Sequence, residues 1–104
     1  MRSAPLMVSV EILDHPNAPT TVTLIGRDAW AFLELRRAGE AGCTPIDHPG
    51  PRWSGYVLKL RRAGLRVETI HESHGGAFPG RHARYVLRSL VRIIEQTSPQ
   101  TKAA

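Results

Sequence analysis

Residues 43–53, CTPIDHPGPRW, set three prolines and a glycine between two stretches rich in helix formers. Proline lacks an amide proton and clashes with the preceding turn, so no helix runs through this segment and the chain must reverse here. On its N-terminal side, AWAFLELRRAGEAG reads as a first helix, with Asp28 favouring its start and Gly39 or Gly42 ending it. Within the break, Thr44 suits a cap and Pro45 a first helical position, which predicts a short one-turn helix followed by a rigid turn. On its C-terminal side, residues 53–63 read as a second full helix. Trp53, Val57, Leu60 and Gly64 share one face, while Gly55, Leu58, Lys59 and Arg62 lie opposite, with Arg52 and Ser54 near the start. That opposite face is basic and has no carboxylate.

Flanking the helices, the periodicity changes to two. Residues 6–13 alternate Met7, Ser9 and Glu11 against Val8, Val10 and Ile12, a strand with one buried face. HPNAP then imposes a loop, and residues 20–25 read as a second strand closed by Gly26. After Gly64, residues 65–71 alternate as a strand, GGAFPG forms a turn-rich tip, and residues 83–88 supply a returning strand, together a β-hairpin. Gly75, Gly76 and Gly80 serve the turn rather than close approach of a ligand. The 104 residues fit a single domain, residues 1–104, with 1–5 and 97–104 expected to be flexible tails.

An N-terminal strand, a helix, a short helix, a tight turn, a basic helix and a hairpin make an α+β fold in the order of a winged helix-turn-helix. About three helices are expected, the middle one short, with a C-terminal hairpin wing and an extra N-terminal strand. Residues 23–88 resemble the small winged-helix domain proteins of bacteria and their phages. The resemblance rests on Thr44 at the short helix, on W-S-x-x-V-x-x-L-R-x-x-G (Trp53, Ser54, Val57, Leu60, Arg61, Gly64), and on Val67, Thr69 and Ile70. It implies a DNA-binding fold. TPIDHPGPR stands where such proteins carry a full second helix and glycine turn, and its prolines shorten that helix.

Charge gives the resemblance a chemical direction. The formal net charge is +5, yet residues 1–51 hold four cations against six anions. The positive excess lies in the second half: Arg52, Lys59, Arg61, Arg62 and Arg66 come without an acid, and Arg81, Arg84, Arg88 and Arg92 face only Glu68 and Glu72 across residues 67–92. Such asymmetry points to an anionic partner, nucleic acid before an anionic membrane surface. Arg52, Lys59 and Arg62 suit phosphates or guanine edges in the major groove, and Ser54 suits either a phosphate or a helix cap. Arg81, His82 and Arg84, beside the hairpin tip, suit phosphates or the minor groove. The bland alternatives are a solvated helix face and an ordinary polar loop. Arg61, on the flank of the helix, suits equally a pair with Glu34 or Glu40 and a DNA contact, while Trp53 and Trp30 belong to the core by register.

Other classes fare worse. No apolar run approaches the roughly 18 residues that cross a bilayer, and MRSAPLMVSVEILD does not read as a secretory signal, so a cytoplasmic place without a membrane partner is expected. The single cysteine, Cys43, excludes an intramolecular disulfide or a four-cysteine zinc site. His71 and His74 are an odd number of positions apart on a strand, and HESH is one residue short of HExxH, so no metal and no cofactor is expected. Neither GxSxG nor a phosphate loop is present, and Cys43 with His48 resembles a nucleophile and base only in composition. The reading is a non-enzymatic protein that binds double-stranded DNA, a transcriptional regulator or phage accessory protein. The alternative is a winged helix used as a protein-docking module in a transcription or replication assembly.

Overall fold

The alternation that begins at Met7 becomes strand β1 (Met7–Ile12), with Val8, Val10 and Ile12 buried, in a computed structural model that describes residues 5–48, 52–77 and 79–97. Strand β2 (Thr20–Ile25) pairs antiparallel with β1 over all six residues, from Met7 opposite Ile25 to Ile12 opposite Thr20. Helix α1 (Arg27–Ala38) follows directly and buries Ala29, Ala31, Phe32 and Leu35. It ends where Gly39 takes φ 57°, and a 3-10 turn (Gly39–Ala41) completes the exit. Helix α2 (Trp53–Arg62) buries Trp53, Tyr56, Val57 and Leu60. Strands β3 (Val67–His74) and β4 (Gly80–Leu87) form an antiparallel hairpin, and β5 (Val91–Thr97) returns to the first sheet.

There are two helices among the described residues, not three. In place of the short middle helix, Thr44 closes one turn: its carbonyl accepts from the His48 amide (2.9 Å), and its Oγ1 accepts from the amides of Ile46 (3.2 Å) and Asp47 (3.0 Å). Thr44 thus caps as its chemistry dictates; the rigid turn expected at residues 49–51 lies outside the described residues. Just before it, Cys43 exchanges both backbone hydrogen bonds with Tyr85 of β4, each 2.9 Å. This bridge gives the hairpin a one-residue third strand. Gly42 makes it feasible. Its φ is +69°, and a Cβ there would stand 2.5 Å from the Tyr85 carbonyl oxygen.

The extra N-terminal strand is also part of something larger. β1 is the centre of a three-stranded sheet, β2-β1-β5, whose third member the sequence reading passed over. A bulge opposite Ser9 and Val10 breaks the period of β5, so VRIIEQT shows no clean alternation. Thr97, placed among the tail residues above, pairs with Met7; residues 1–4 and 98–104 lie outside the described chain.

α1 and α2 pack on each other, α1 also touches β2 and β4, and α2 touches β3, so the helix pair joins the three-stranded sheet to the hairpin. Four aromatic rings lock this junction. Trp53 lies 5.4 Å from Trp30, 6.1 Å from Tyr56 and, stacked, 6.0 Å from Tyr85, measured between ring centroids. Trp53 Nε1 also donates to the His48 carbonyl (2.6 Å), tying the proline-rich turn to the start of α2. Burial of this face dictates which side of α2 is left to solvent.

Candidate nucleic-acid interface

Because Trp53, Val57 and Leu60 face inward, Arg52, Ser54, Lys59 and Arg62 are exposed along the other side of α2. None of these three cations has a carboxylate within salt-bridge distance among the described residues. No side chain caps the first turn of α2, so Ser54 keeps its hydroxyl for solvent or a ligand. Arg61 departs from expectation. It does not reach Glu34 or Glu40, but donates through Nε (3.1 Å) and Nη2 (2.6 Å) to the Val67 carbonyl and through Nη2 to Thr69 Oγ1 (2.9 Å). It fastens the end of α2 to β3.

The basic side of α2 forms one wall of a groove whose other wall is β2 and the start of α1. One part, of about 500 Å³, is lined by Ile25, Arg27, Asp28, Arg52, Tyr56 and Lys59. A second part, of about 390 Å³, continues past Lys59 to Arg62 and is floored by Thr23, Leu24 and Ile25. Arg27 was not singled out from sequence. It stands one residue before the acid that marks the helix start, which hides it in a pattern read for capping.

The hairpin residues are disposed differently. Arg84 donates to Glu72 through Nε (2.6 Å) and Nη2 (3.0 Å) and to the Ala41 carbonyl through Nη1 (2.8 Å). His82 Nε2 lies 3.0 Å from Glu72 Oε1, and His82 Nδ1 lies 2.9 Å from His74 Nδ1, a contact in which one ring donates and the other accepts. The Arg84 hydrogen bonds are the leading cause holding the Glu72 carboxyl below its ordinary range; desolvation opposes them and His82 assists. Arg84 and His82 therefore brace the hairpin from within, whereas Arg81 is exposed and has no carboxylate partner among the described residues. The structure gathers Arg52, Lys59 and Arg62 about one groove, with Ser54 on the same helix, and leaves Arg81, His82 and Arg84 on β4.

Nucleophilic chemistry at Cys43 has no support here. The thiol is fully buried, and burial, with Glu34 adding to it, pushes its pKa up to about 11. Among the described residues no group of three or more His, Cys, Asp or Glu is placed to hold a metal ion. No helix among them is long and apolar enough to cross a membrane.

A family model described as a winged helix domain matches residues 21–97, most of the chain and all of both helices and the hairpin. Nothing matches among curated proteins or among solved structures.

Proposed function

As the chain belongs to the winged helix domain family, we propose that it binds double-stranded DNA without catalysis, presenting α2 to the major groove and the hairpin to neighbouring phosphates. The observation that carries this reading is the exposed side of α2, where Arg52, Lys59 and Arg62 have no carboxylate partner among the described residues. Cations already engaged by acids release no counterions from DNA when they bind, whereas unengaged ones do. In this reading Arg52 and Lys59 hold phosphates, Arg62 reaches a base edge, Ser54 donates to a phosphate at the helix start, and Arg81 contacts the backbone flanking the site. His82 and Arg84 act through the shape of the wing that carries Arg81. Such a protein fits a cytoplasmic transcriptional regulator or a phage accessory protein.

The test is a titration of the full chain with random-sequence duplex across salt. On random-sequence duplex, where Arg62 meets a phosphate in place of its base edge, Arg52, Lys59, Arg62 and Arg81 give a log affinity against log salt slope of roughly −3 to −4. A flat slope would remove the DNA reading, because an interface made without phosphates has no counterions to release.

A further inference from the structure

The first sheet has two free edges among the described residues, and they are built differently. β5 carries a bulge, with Arg92 and Glu95 exposed, the devices by which an edge resists further pairing. β2, TTVTLI, has no charge, no proline and no break in register against β1. Which of its backbone groups are open follows from the hydrogen bond of the Gly26 amide to the Leu6 carbonyl (2.8 Å). That bond continues the β1–β2 register, so Leu24, Val22 and Thr20 direct their amides and carbonyls to β1, while Ile25, Thr23 and Thr21 direct theirs outward. The 3.2 Å contact between Ser9 Oγ and Thr23 Oγ1 agrees, since side chains approach most closely at pairs without mutual backbone bonds.

This bare edge borders the basic groove. Thr23 and Ile25 line it together with Lys59 and Arg62, and Ile25 lines its continuation toward Arg27 and Arg52; Asp28 is the single acid in either lining. We propose that the β2 edge takes up an extended acidic segment of a partner protein as an added strand, its carboxylates set against Lys59, Arg62, Arg27 and Arg52. Strand addition satisfies the outward groups of Thr21, Thr23 and Ile25 at the ordinary strand spacing of about 4.8 Å. Charge selects the partner. A second copy paired edge to edge would bring two sets of the same cations face to face, which like-charge repulsion disfavours. A duplex would answer the cations but offers no strand-like ladder to the edge. The proposal stands on the β2 edge and does not rest on the DNA reading, although both use Lys59 and Arg62, so the acidic segment and DNA compete.

Hydrogen exchange of the full chain, followed by NMR, tests it with a soluble alternating Glu–Val peptide as the probe and an alternating Lys–Val peptide as its control. With saturating Glu–Val peptide the Thr21, Thr23 and Ile25 amides slow by about tenfold or more, and those of Val22 and Leu24, already bonded to β1, change little. Unchanged rates at the three outward amides, or equal protection by the Lys–Val peptide, overturn the proposal. Thr23→Pro, which removes the central outward donor, weakens the Glu–Val peptide by about tenfold. Undiminished peptide binding by a folded Thr23→Pro chain also overturns it. Arg62→Ala, which leaves the edge intact, should weaken the Glu–Val peptide at low salt, and an unaltered affinity counts against the charge assignment. Peptide binding with no duplex binding sinks the DNA reading alone, and the converse sinks this one alone.

Discussion

Helix α2 and the β3–β4 hairpin both present cations, but their surroundings divide them. Along α2 there is no acid at all, and Arg52, Lys59 and Arg62 point to solvent. The hairpin has Glu68 and Glu72 on β3, and the strand register brings them opposite the arginine-bearing β4. Arg84 is taken by Glu72. Just past β4, Arg88 bonds to Glu68 through Nε (2.7 Å) and to Glu40 through Nη1 (3.0 Å). The same pattern recurs elsewhere, with Arg37 on Glu34, Arg66 on Asp14 and Arg92 on Glu11. A positive charge counts toward an anionic partner only when no neighbour has already claimed it, and by that measure α2 and its groove hold most of what is left.

The largest test of this contrast removes the free set at once. Arg52→Ala, Lys59→Ala and Arg62→Ala combined should flatten the salt slope by about 2.7 units and weaken random-duplex binding by about two to three orders of magnitude, with the melting temperature little changed. A slope that survives the triple change would mean that the phosphate contacts lie on another surface.

Next in size is the comparison within β4. Arg81→Ala should flatten the slope by about 0.9 units without loss of stability. Arg84→Ala should do the reverse, lowering the melting temperature because Glu72 and the Ala41 carbonyl lose a donor, while the slope holds. Equal slopes for both variants, each as flat as the other, would show that Arg84 leaves Glu72 to meet DNA.

The smallest effect is on the pH dependence of stability. The Glu72 carboxyl is held below its ordinary value of 4.5, so the unfolded chain takes up the proton first as the solution is acidified. The stabilisation is complete above 4.5 and is lost as pH falls through the lower, folded value. Glu72→Gln should therefore melt lower at neutral pH and show a shallower fall in melting temperature from about pH 6 to about pH 3. Parallel curves for the two proteins would assign the acid sensitivity to other carboxyls, such as Asp14, whose value is also lowered: its largest influence, desolvation, is outweighed by hydrogen bonds from the backbone and Arg66.

What the sequence made legible follows the range over which each residue acts. Periodicity placed Val57 and Leu60 inside and Lys59 and Arg62 outside, because helical register is local and two aliphatic side chains three apart fix it. The alternation of β1 and the hairpin around residues 75–79 were legible for the same reason. Two features depend on residues far apart and were not. β5 pairs with a strand from the opposite end of the chain across a bulge, although Val91, Ile93 and Ile94 carried a β-branched signal. The engagement of Arg84 and His82 by Glu72 depends on a cross-strand register that composition does not contain. The proline-rich break and the Thr44 cap were legible because both act within a few residues, and the described residues carry one hydrogen-bonded turn there rather than a third helix.

The central place of β1 also governs the order in which the molecule can be assembled. Its first partner, β2, follows within one loop, but its other flank is covered only by β5, so Met7 must wait for Thr97 and Val10 for Ile93. Non-local pairings of this kind raise contact order and slow folding. On the ribosome, both helices and the whole hairpin are made while β1 still presents an open side. Until Val91–Thr97 emerges, a nascent chain therefore exposes two templates for misplaced strands where the finished protein has guarded one.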